Sequence, residues 1–345
     1  MSNLLGQIHA GWWVLGALLL IYPWVASDFF TYQIGGYTLI LGLIALSLMI
    51  LAGYGGMVSL AQITAAGVAA YALPIFGENS VGVLGLGWPA WVLYPFAILL
   101  AAMFSTLVGL ISVRTEGIYT IMITLAIAVS FFFFARQNYA LFNGFQGFSG
   151  VDAPRFWGIY WRDPTPFYYL CLAVSVFFFA ATAYGARSTF GLTLQAIRDN
   201  PRRMSALGYS VMAHRVYAFF LAGIVAGVAG VLLVLFNGRI SPGTIGVDIA
   251  IDILVIAVVG GLRHPIGPFI GALAFVLLEN FAIDLIDRDR FNTVIGMAFL
   301  LVVFFSPDGL IGLWQKAASR FQRRQHTRDA TATGSDKTVQ QGDPA

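Results

Sequence analysis

Long apolar runs dominate the pattern of this chain, and short polar stretches separate them. A helix needs about 20 mostly apolar residues to cross the hydrocarbon core of a bilayer. By that measure the pattern predicts ten candidate spans, at residues 11–26, 36–52, 56–76, 88–113, 117–135, 167–184, 216–236, 249–262, 266–286 and 291–305. The first, second, eighth and tenth are short and the third is weakly hydrophobic, so any of these can be re-entrant or broken. We expect an all-α, polytopic integral membrane protein with about 8–10 transmembrane helices.

Composition supports the membrane class. The chain is 59% hydrophobic and only 10% charged, with a mean hydropathy of +0.80, which leaves too little polar surface for a soluble globule. Its 38 glycines suit helices that approach one another closely. The single cysteine, Cys171, excludes an intrachain disulfide and a redox pair. No basic region precedes the first apolar run, so we expect the first helix to be retained rather than cleaved.

Positive charge gathers in two places, residues 187–215 with five arginines and the tail that begins at Lys316. Lysine and arginine favour the cytoplasmic side, and the four predicted spans between these two places allow both to lie there. Ten spans then put the N-terminus in the cytoplasm as well, and residues 136–165 in an outer, periplasmic loop. Residues 316–345 lack apolar periodicity and are expected to be disordered, with a basic start that binds lipid headgroups or merely fixes topology. We expect a multi-pass protein of the bacterial inner membrane.

Motifs of catalysis are missing from the sequence. It contains no G-x-x-x-x-G-K-[ST] phosphate loop and no G-x-S-x-G serine elbow. The four histidines are scattered without a metal-ligand spacing. We therefore predict no enzymatic activity, no metal, no cofactor and no nucleic-acid partner.

Acidic residues within predicted spans are costly in lipid and are functional candidates by default. Glu279 lies nearest to mid-span and is the best candidate for a buried polar contact, with helix-to-helix bonding as the alternative. Asp248 and Asp252 share a helix face by their spacing of four, close to the predicted outer interface. A solvated position is the alternative to a proton relay for this pair.

Residues 48–73 form a second informative stretch, because Gly53, Gly55 and Gly56 should interrupt a helix there. The small or polar residues that follow include Ser59, Ala61, Gln62, Thr64, Ala65, Gly67, Ala69 and Ala70. Interrupted helices at membrane depth are tolerated where they line a water-filled cavity or are buried in protein, and they point to a transport path. Close packing through the small residues Ala61, Ala65 and Ala69 is the alternative, and both interpretations can hold on opposite faces.

Four blocks of sequence together resemble the M-type permease subunits of branched-chain amino-acid ABC importers. The blocks are AGYGGMVSLAQITAAGVAAY at 52–71, EGIYTIMITLAIA at 116–128, GLTLQAIRDNPRRMSALGYSVMAHRVYAFFLAGIVAGVAGVL at 191–232 and SPGTIGVDIAIDILVIAVVGGLRHPIGPFIGA at 241–272. A final SPDGLIGL at 306–313 also fits. The likeness covers roughly residues 40–313, nearly the whole membrane part.

The resemblance implies a membrane permease subunit of an ATP-driven importer for branched-chain amino acids or a related small solute. In such importers two homologous permease subunits form the path, two cytoplasmic ABC ATPases drive it, and a periplasmic solute-binding protein delivers the solute. Residues 187–215 would then be the coupling segment that docks on the ATPase, with a helix ended or restarted at Pro201. The implied coupling residues are Ala196, Ile197, Arg198, Asp199, Asn200, Ala206, Leu207 and Gly208. The candidate path residues are Ser59, Gln62, Thr64, Gly67, Tyr119, Thr124 and Glu279.

The predicted organisation has three parts: a first span with its outer loop (1–35), the permease domain (36–315) and the tail (316–345). Departures from the family leave the solute open, since relatives commonly have histidine at Gln62, acidic residues at 201–205 and a T-G-G-type motif where this chain reads NGFQG at 143–147. Related permeases also serve urea and short amides. Two other classes remain as alternatives: an ion-coupled secondary transporter using Glu279 or the Asp248 and Asp252 pair, and a structural or assembly subunit.

Overall fold

The computed structural model is almost entirely helical. It describes residues 10–79, 85–115, 117–151, 155–156, 159–282, 296–297, 309–310 and 312. Within them, five helical stretches are long and apolar enough to cross a membrane: Phe30–Tyr54, Ala90–Ser112, Ile118–Gln137, Pro164–Arg187 and Val211–Asn237. The expected all-α, polytopic membrane architecture is confirmed, with four two-residue strands as a minor addition.

The described α-helices can be given in their order along the chain. They are α1 Ala10–Val25, α2 Tyr37–Met49, α3 Gln62–Phe76, α4 Ala90–Ser112, α5 Ile118–Gln137, α6 Tyr139–Phe142, α7 Pro164–Arg187, α8 Thr189–Asp199, α9 Pro201–Ala206, α10 Val211–Asn237, α11 Val247–Gly260 and α12 Gly267–Ala282. Two π-helical segments, Phe30–Gly36 and Ile50–Tyr54, extend α2 at both ends. The strands are β1 Phe148–Ser149, β2 Arg155–Phe156, β3 Ile159–Tyr160 and β4 Arg239–Ile240.

The strands form two small antiparallel pairs in the loops. β2 pairs with β3 within residues 155–160, and β1 pairs with β4, with Phe148 opposite Ile240. The β1–β4 pair joins the loop after α6 to the end of α10. Short 3₁₀ turns at Gly144–Gln146 and Pro242–Ile245 flank this pair.

The second predicted span was too short. Residues 36–52 were expected to form it, whereas the helix runs without interruption over 25 residues, Phe30–Tyr54. The apolar run starts after Gly35 and Gly36, but both glycines lie inside π-helical turns, with Gly35 packed so closely that a Cβ would lie 2.8 Å from the Tyr168 ring. The boundary predicted after residue 35 therefore falls within one continuous helix.

The other predicted spans up to residue 282 also contain helix. The eighth, expected to be short, is the 14-residue α11, which is too short for a straight crossing. The seventh span was expected to begin at residue 216, but its helix, α10, already starts at Val211. The Ser210 hydroxyl caps the first turn by accepting from the N–H of Ala213. Residues 283–286 of the ninth span and the tail lie outside the described residues, as does the tenth span apart from 296–297.

The centre of the bundle is α10, which packs against α2, α3 and α4. Its small residues permit this close approach: a Cβ on Gly230 would collide with the carbonyl oxygen of Ala66 on α3. On the α4 side, the hydroxyl of Ser105 donates a hydrogen bond to the Phe219 carbonyl across 2.7 Å. Close backbone packing therefore joins α3 to the central helix, and a buried hydrogen bond joins α4 to it.

The α1–α7 contact compensates for a proline. Pro23 lies inside α1 and has no backbone N–H to donate to the carbonyl of Leu19, four residues earlier. The hydroxyl of Tyr168 on α7 donates to that oxygen across 3.0 Å, and the hydroxyl of Tyr169 donates to the neighbouring Leu20 carbonyl across 2.9 Å. The freed backbone acceptor of α1 is thus satisfied by the neighbouring helix, as a membrane segment requires.

Candidate functional site

The chain is irregular between Tyr54 and Gln62, where the glycine pattern predicted an interruption. We call residues 55–61 the helix break. Gly56 has a positive φ of +69°, which a residue with a side chain rarely adopts. The backbone N–H of Met57 turns back to the Leu51 carbonyl across 3.0 Å. The predicted interruption is confirmed at Gly55 and Gly56, whereas Gly53 still lies in the last helical turn.

The helix break is tied to α5 by its backbone. The N–H of Leu60 donates to Oγ1 of Thr124 across 3.2 Å, and the Thr124 hydroxyl donates in turn to the Ile121 carbonyl across 3.1 Å. Ser59 accepts a hydrogen bond from the N–H of Ala61 across 3.4 Å. Ser59 and Thr124 are both fully buried. Two of the predicted path residues are therefore brought together at the break.

Unpartnered polar atoms follow directly in α3. Oε1 of Gln62 and Oγ1 of Thr64 are buried and have no hydrogen-bond partner within the part of the chain that the structure describes. Leaving a buried polar atom unpaired costs about 1–3 kcal/mol, and such atoms are usually satisfied by water or a ligand. The beginning of α3 therefore offers polar groups that are available to a small polar molecule.

The remaining three predicted path residues lie elsewhere. Gly67, further along α3, packs against Ile245 so closely that a Cβ would collide with its Cγ2. Tyr119 is 66% exposed on α5 and does not face the subunit interior. Glu279 lies on α12, and its Oε2 is a buried atom with no hydrogen-bond partner among the described residues.

The predicted coupling segment, residues 187–215, contains two short helices with well-formed caps, α8 and α9. Ser188 caps α8 by accepting from the N–H of Gly191 across 3.3 Å, and Asn200 caps α9 by accepting from the N–H of Arg203 across 3.0 Å. Pro201 stands at the first position of α9, where its missing N–H costs nothing. The prediction that Pro201 ends or restarts a helix is confirmed.

The apolar residues of the coupling segment divide between two faces. Leu194, Ile197 and Met204 are buried within the subunit's own core, so they support the two helices from beneath rather than face outward. Leu192 and Leu207 are 59% and 67% exposed. An interpretation of Ile197 as a direct contact for another protein does not fit this burial.

The other predicted coupling residues are mostly on the surface. Ala196 is half-buried, whereas the exposed set comprises Arg198, Asp199, Asn200, Ala206, Leu207 and Gly208. Around them lie further partly exposed rings, since Tyr209 and Tyr217 flank the stacked pair of Phe190 and His214. The coupling segment therefore presents a mixed polar and apolar surface.

One contact at this site was missed by sequence reasoning. Nη1 of Arg198 donates to the carbonyl oxygen of Gly53 across 2.5 Å, and Nη2 forms an ion pair with Asp199 at 2.9 Å. Arg198 was expected to serve an outside partner, but its guanidinium turns back to the helix break. The partners are 145 residues apart in sequence, and no local pattern indicates such a contact.

Residues 138–151, the described part of the loop that directly follows α5, are structured, and we call residues 143–147 the cap. Asn143 adopts a left-handed conformation with φ of 56° and donates through Nδ2 to the Gly147 carbonyl across 2.6 Å. Arg136 stacks over the ring of Phe145, with 5.4 Å from its guanidinium carbon to the ring centroid. The NGFQG motif at 143–147 is thus a compact turn beside the β1–β4 pair.

Comparison with known families agrees with this architecture. The family model described as the permease component of branched-chain amino acid transport systems matches residues 31–305. The chain belongs to this family. It is a permease subunit of an ABC importer and a multi-pass membrane protein, as the resemblance implied, and its relatives are transport proteins rather than enzymes.

Three relatives illustrate the range of the family. The permease is 22% identical over 317 residues to the high-affinity branched-chain amino acid permease LivM of Escherichia coli K12, covering 85% of this chain and 72% of that protein. It is 26% identical to the nucleoside ABC transporter permease NupC of Lactococcus lactis, covering 66% of this chain and 74% of NupC. A probable branched-chain amino acid permease, LivH of Methanocaldococcus jannaschii, is 34% identical over 139 residues, which are 38% of this chain and 43% of LivH. No solved structure matches the chain significantly.

Proposed function

We propose that this permease forms half of the translocation path of an importer for branched-chain amino acids or a related small solute. The single observation that carries the proposal is the family match over residues 31–305. It is supported by the interruption of the helix at residues 55–61, which is followed by buried polar atoms without partners in the described residues. The proposed path residues at the break are Ser59, Gln62, Thr64 and Thr124, with Gly67 further along α3. Tyr119 and Glu279 remain candidates away from it.

The proposed partners are a second homologous permease subunit, two cytoplasmic ABC ATPases that hydrolyse the ATP, and a periplasmic solute-binding protein. The ATPase docks on the exposed face of the coupling segment, where Asn200, Ala206, Leu207 and Gly208 are accessible and Leu192 adds an apolar contact. Ala196 and Ile197 support that face from within. Exposed leucines beside polar groups are typical of a protein interface.

The proposed orientation puts residues 187–215 and both termini in the cytoplasm of a bacterial cell, with residues 136–165 on the periplasmic side. The charge distribution supports it, because the arginine-rich coupling segment and the basic tail then share one side. The structured cap around 143–147 is the proposed contact for the binding protein. The three-part organisation, 1–35, 36–315 and 316–345, stands as part of this proposal.

Nucleosides are a second candidate solute class, favoured by the similarity to NupC over two thirds of the chain. Urea and short amides come from the family resemblance alone. Equilibrium binding of leucine, isoleucine, valine, uridine, urea and acetamide to the partner binding protein separates these classes. We expect submillimolar binding of a branched-chain amino acid, and exclusive binding of uridine would assign the nucleoside class instead.

The decisive experiment is import into proteoliposomes that contain the permease, its ATPases and the binding protein. We expect solute to accumulate only with ATP on the ATPase side. A catalytically inactive ATPase is the control and should abolish accumulation. Accumulation driven by a proton gradient without ATPases would contradict the proposal and would favour the secondary-transporter alternative through Glu279 or Asp248 and Asp252.

A further inference from the structure

The end of helix Phe30–Tyr54 is capped from outside its own sequence. The last carbonyls of a helix have no intrahelical partner, and a cation near them also meets the negative end of the helix dipole. Arg198 supplies the hydrogen-bond donor and the positive charge, since its Nη1 donates to the Gly53 carbonyl across 2.5 Å. The cap therefore comes from α8 of the coupling segment, and the helix that it caps leads directly into the helix break.

The stem of Arg198 lies against the helix break as well. A Cβ on Gly56 would be 2.5 Å from Cγ of Arg198, so the stem and the Gly56 backbone are already in close contact. On the other side of the helix end, a Cβ on Gly53 would collide with the Leu262 carbonyl beyond α11. The helix end is therefore held between two neighbours, and a shift of Arg198 cannot leave Gly53 and Gly56 unmoved.

The orientation of Arg198 is fixed by its neighbour. Nε donates to Oδ1 of Asp199 across 3.0 Å, and Nη2 lies 2.9 Å from the same oxygen. Asp199 is the more exposed of the two side chains, at 67% against 36%. The Asp199 carboxylate thus contacts the Arg198 guanidinium on the exposed side, while Nη1 donates to the Gly53 carbonyl. The pair therefore connects the surface of the coupling segment with the helix end at Gly53.

The helix break carries this link to the buried polar residues. Leu60, four residues beyond Gly56, is anchored to Thr124 of α5, and Ser59 and Gln62 are buried on either side of that anchor. A displacement of α8 would therefore reach Ser59 through the few residues between Gly56 and the anchored Leu60. No rearrangement of the whole bundle is needed for it.

We propose that Arg198 is the positioning residue that transmits movement of α8 to the helix break, through its contacts with Gly53 and Gly56. The inference rests on the proposed function, because it takes the ATPase to be what moves α8. Arg198 then acts through its contact with the Gly53 carbonyl, although its side chain is 36% exposed, whereas Arg202 is exposed on α9. Substitution of Arg198 should therefore change how the break responds to the ATPase, whereas substitution of Arg202 should change only how much ATPase is bound.

The test uses the assembled complex of permease and ATPases and a reporter thiol, Ser59→Cys in a Cys171→Ala background. Its labelling rate with a small methanethiosulfonate reagent is compared between the nucleotide-free and the vanadate-trapped ATP state. With Arg198 intact we expect the two rates to differ by about tenfold, because one charge-assisted hydrogen bond that is made in one state and lost in the other shifts the exposure equilibrium of Ser59 by about that factor. This readout needs no knowledge of the imported solute.

Arg198→Met keeps the length of the stem and removes the donors. We expect it to retain the ATPases in co-purification and their hydrolysis rate, while the difference in labelling rate falls below about twofold. Arg198→Lys keeps one donor and should recover part of the difference. Gly56→Ala, which pushes on the Arg198 stem, should reduce the difference in the same way if the variant inserts and folds.

Arg202→Met is the matched comparison, since it removes an equal charge from the same segment. Arg202→Met can lower the amount of bound ATPase. In the complexes that still form, the Ser59→Cys labelling rates in the two nucleotide states should differ as much as they do without this substitution. The inference is overturned if Arg198→Met preserves the labelling difference, if it loses that difference only in proportion to lost ATPase, or if Ser59→Cys with Arg198 intact does not respond to nucleotide. Failure of any ATPase to co-purify with unsubstituted permease would instead contradict the proposed function.

Discussion

The backbone N–H of Leu60 and the hydroxyl oxygen of Thr124 lie 3.2 Å apart and form the hydrogen bond that fixes the helix break to α5. Thr124 is fully buried. A buried N–H without a partner is more costly than a missing surface hydrogen bond. The Thr124 hydroxyl therefore helps to fix the position of the break relative to α5.

Thr124→Val should destabilise the permease by about 1 kcal/mol, because it keeps the shape of the side chain and leaves the Leu60 N–H unpaired. Thermal or denaturant unfolding of the purified protein measures the loss. Thr124→Ser keeps the acceptor and serves as the control, with an expected change of under about 0.5 kcal/mol. Equal stability of the valine and serine variants would show that this hydrogen bond does not hold the break.

The buried Gln62 side chain is expected to lower the stability of the folded protein and is also proposed to line the transport path. Its Oε1 is buried without a partner in the described residues, so Gln62→Leu should stabilise the folded protein by about 1 kcal/mol. The same change should lower the import rate, since it removes a polar group from the proposed path. Unfolding and proteoliposome import are measured on the same preparation.

Ile63→Val, the buried neighbour on α3, is a suitable control for Gln62, because it alters packing without changing a polar group. It should lower stability slightly and leave the import rate near that of the unsubstituted permease. A Gln62→Leu variant with unchanged import and reduced stability would remove Gln62 from the path.

The helix break and the restart at Pro201 could be predicted from sequence because glycine and proline act on their own backbone. The contacts by which the helix break and the coupling segment act could not be predicted from sequence. Leu60 and Thr124 are 64 residues apart, and Arg198 and Gly53 are 145 apart, so each pairing depends on how the helices pack. Hydropathy cannot specify that packing.

The coupling segment shows a related limit. Its apolar residues recur at helical spacing, but the spacing alone does not say which face the subunit itself covers. Leu194 and Ile197 turn out to be buried, and Leu192 remains exposed. The π-helical extension of α2 escaped prediction for a similar reason, since Gly35 is held in place by the Tyr168 ring of a distant helix.

Membrane orientation can be tested with single cysteines. Ser205 of the coupling segment and Gln146 of the cap are both exposed, and Cys171 is fully buried and is replaced by alanine. In intact cells an impermeant thiol reagent should label Gln146→Cys and not Ser205→Cys. Permeabilised cells provide the control, in which both should react. Labelling of Ser205→Cys from outside would reverse the proposed topology.

Gly208 gives the sharpest test of ATPase docking, because the effect of backbone strain and the effect of side-chain bulk can be separated there. Its φ is +89°, so any side chain adds backbone strain, of about 1–2 kcal/mol. A Cβ built there meets no described atom within 4 Å, so the subunit itself has room for more bulk. Gly208→Ala and Gly208→Trp therefore carry the same strain and differ mainly in what they present to a partner.

We expect Gly208→Ala to insert normally and to retain most of the bound ATPase, whereas Gly208→Trp inserts equally well but loses the ATPase and ATP-driven import. The physical reason is that a clash between two surfaces that must meet is relieved only by separating them. Co-purification of the ATPase and import into proteoliposomes are measured for both variants, with membrane insertion as the check on folding. If the tryptophan variant retains as much ATPase as the alanine variant and imports at the same rate, the face around Gly208 is not where the ATPase docks.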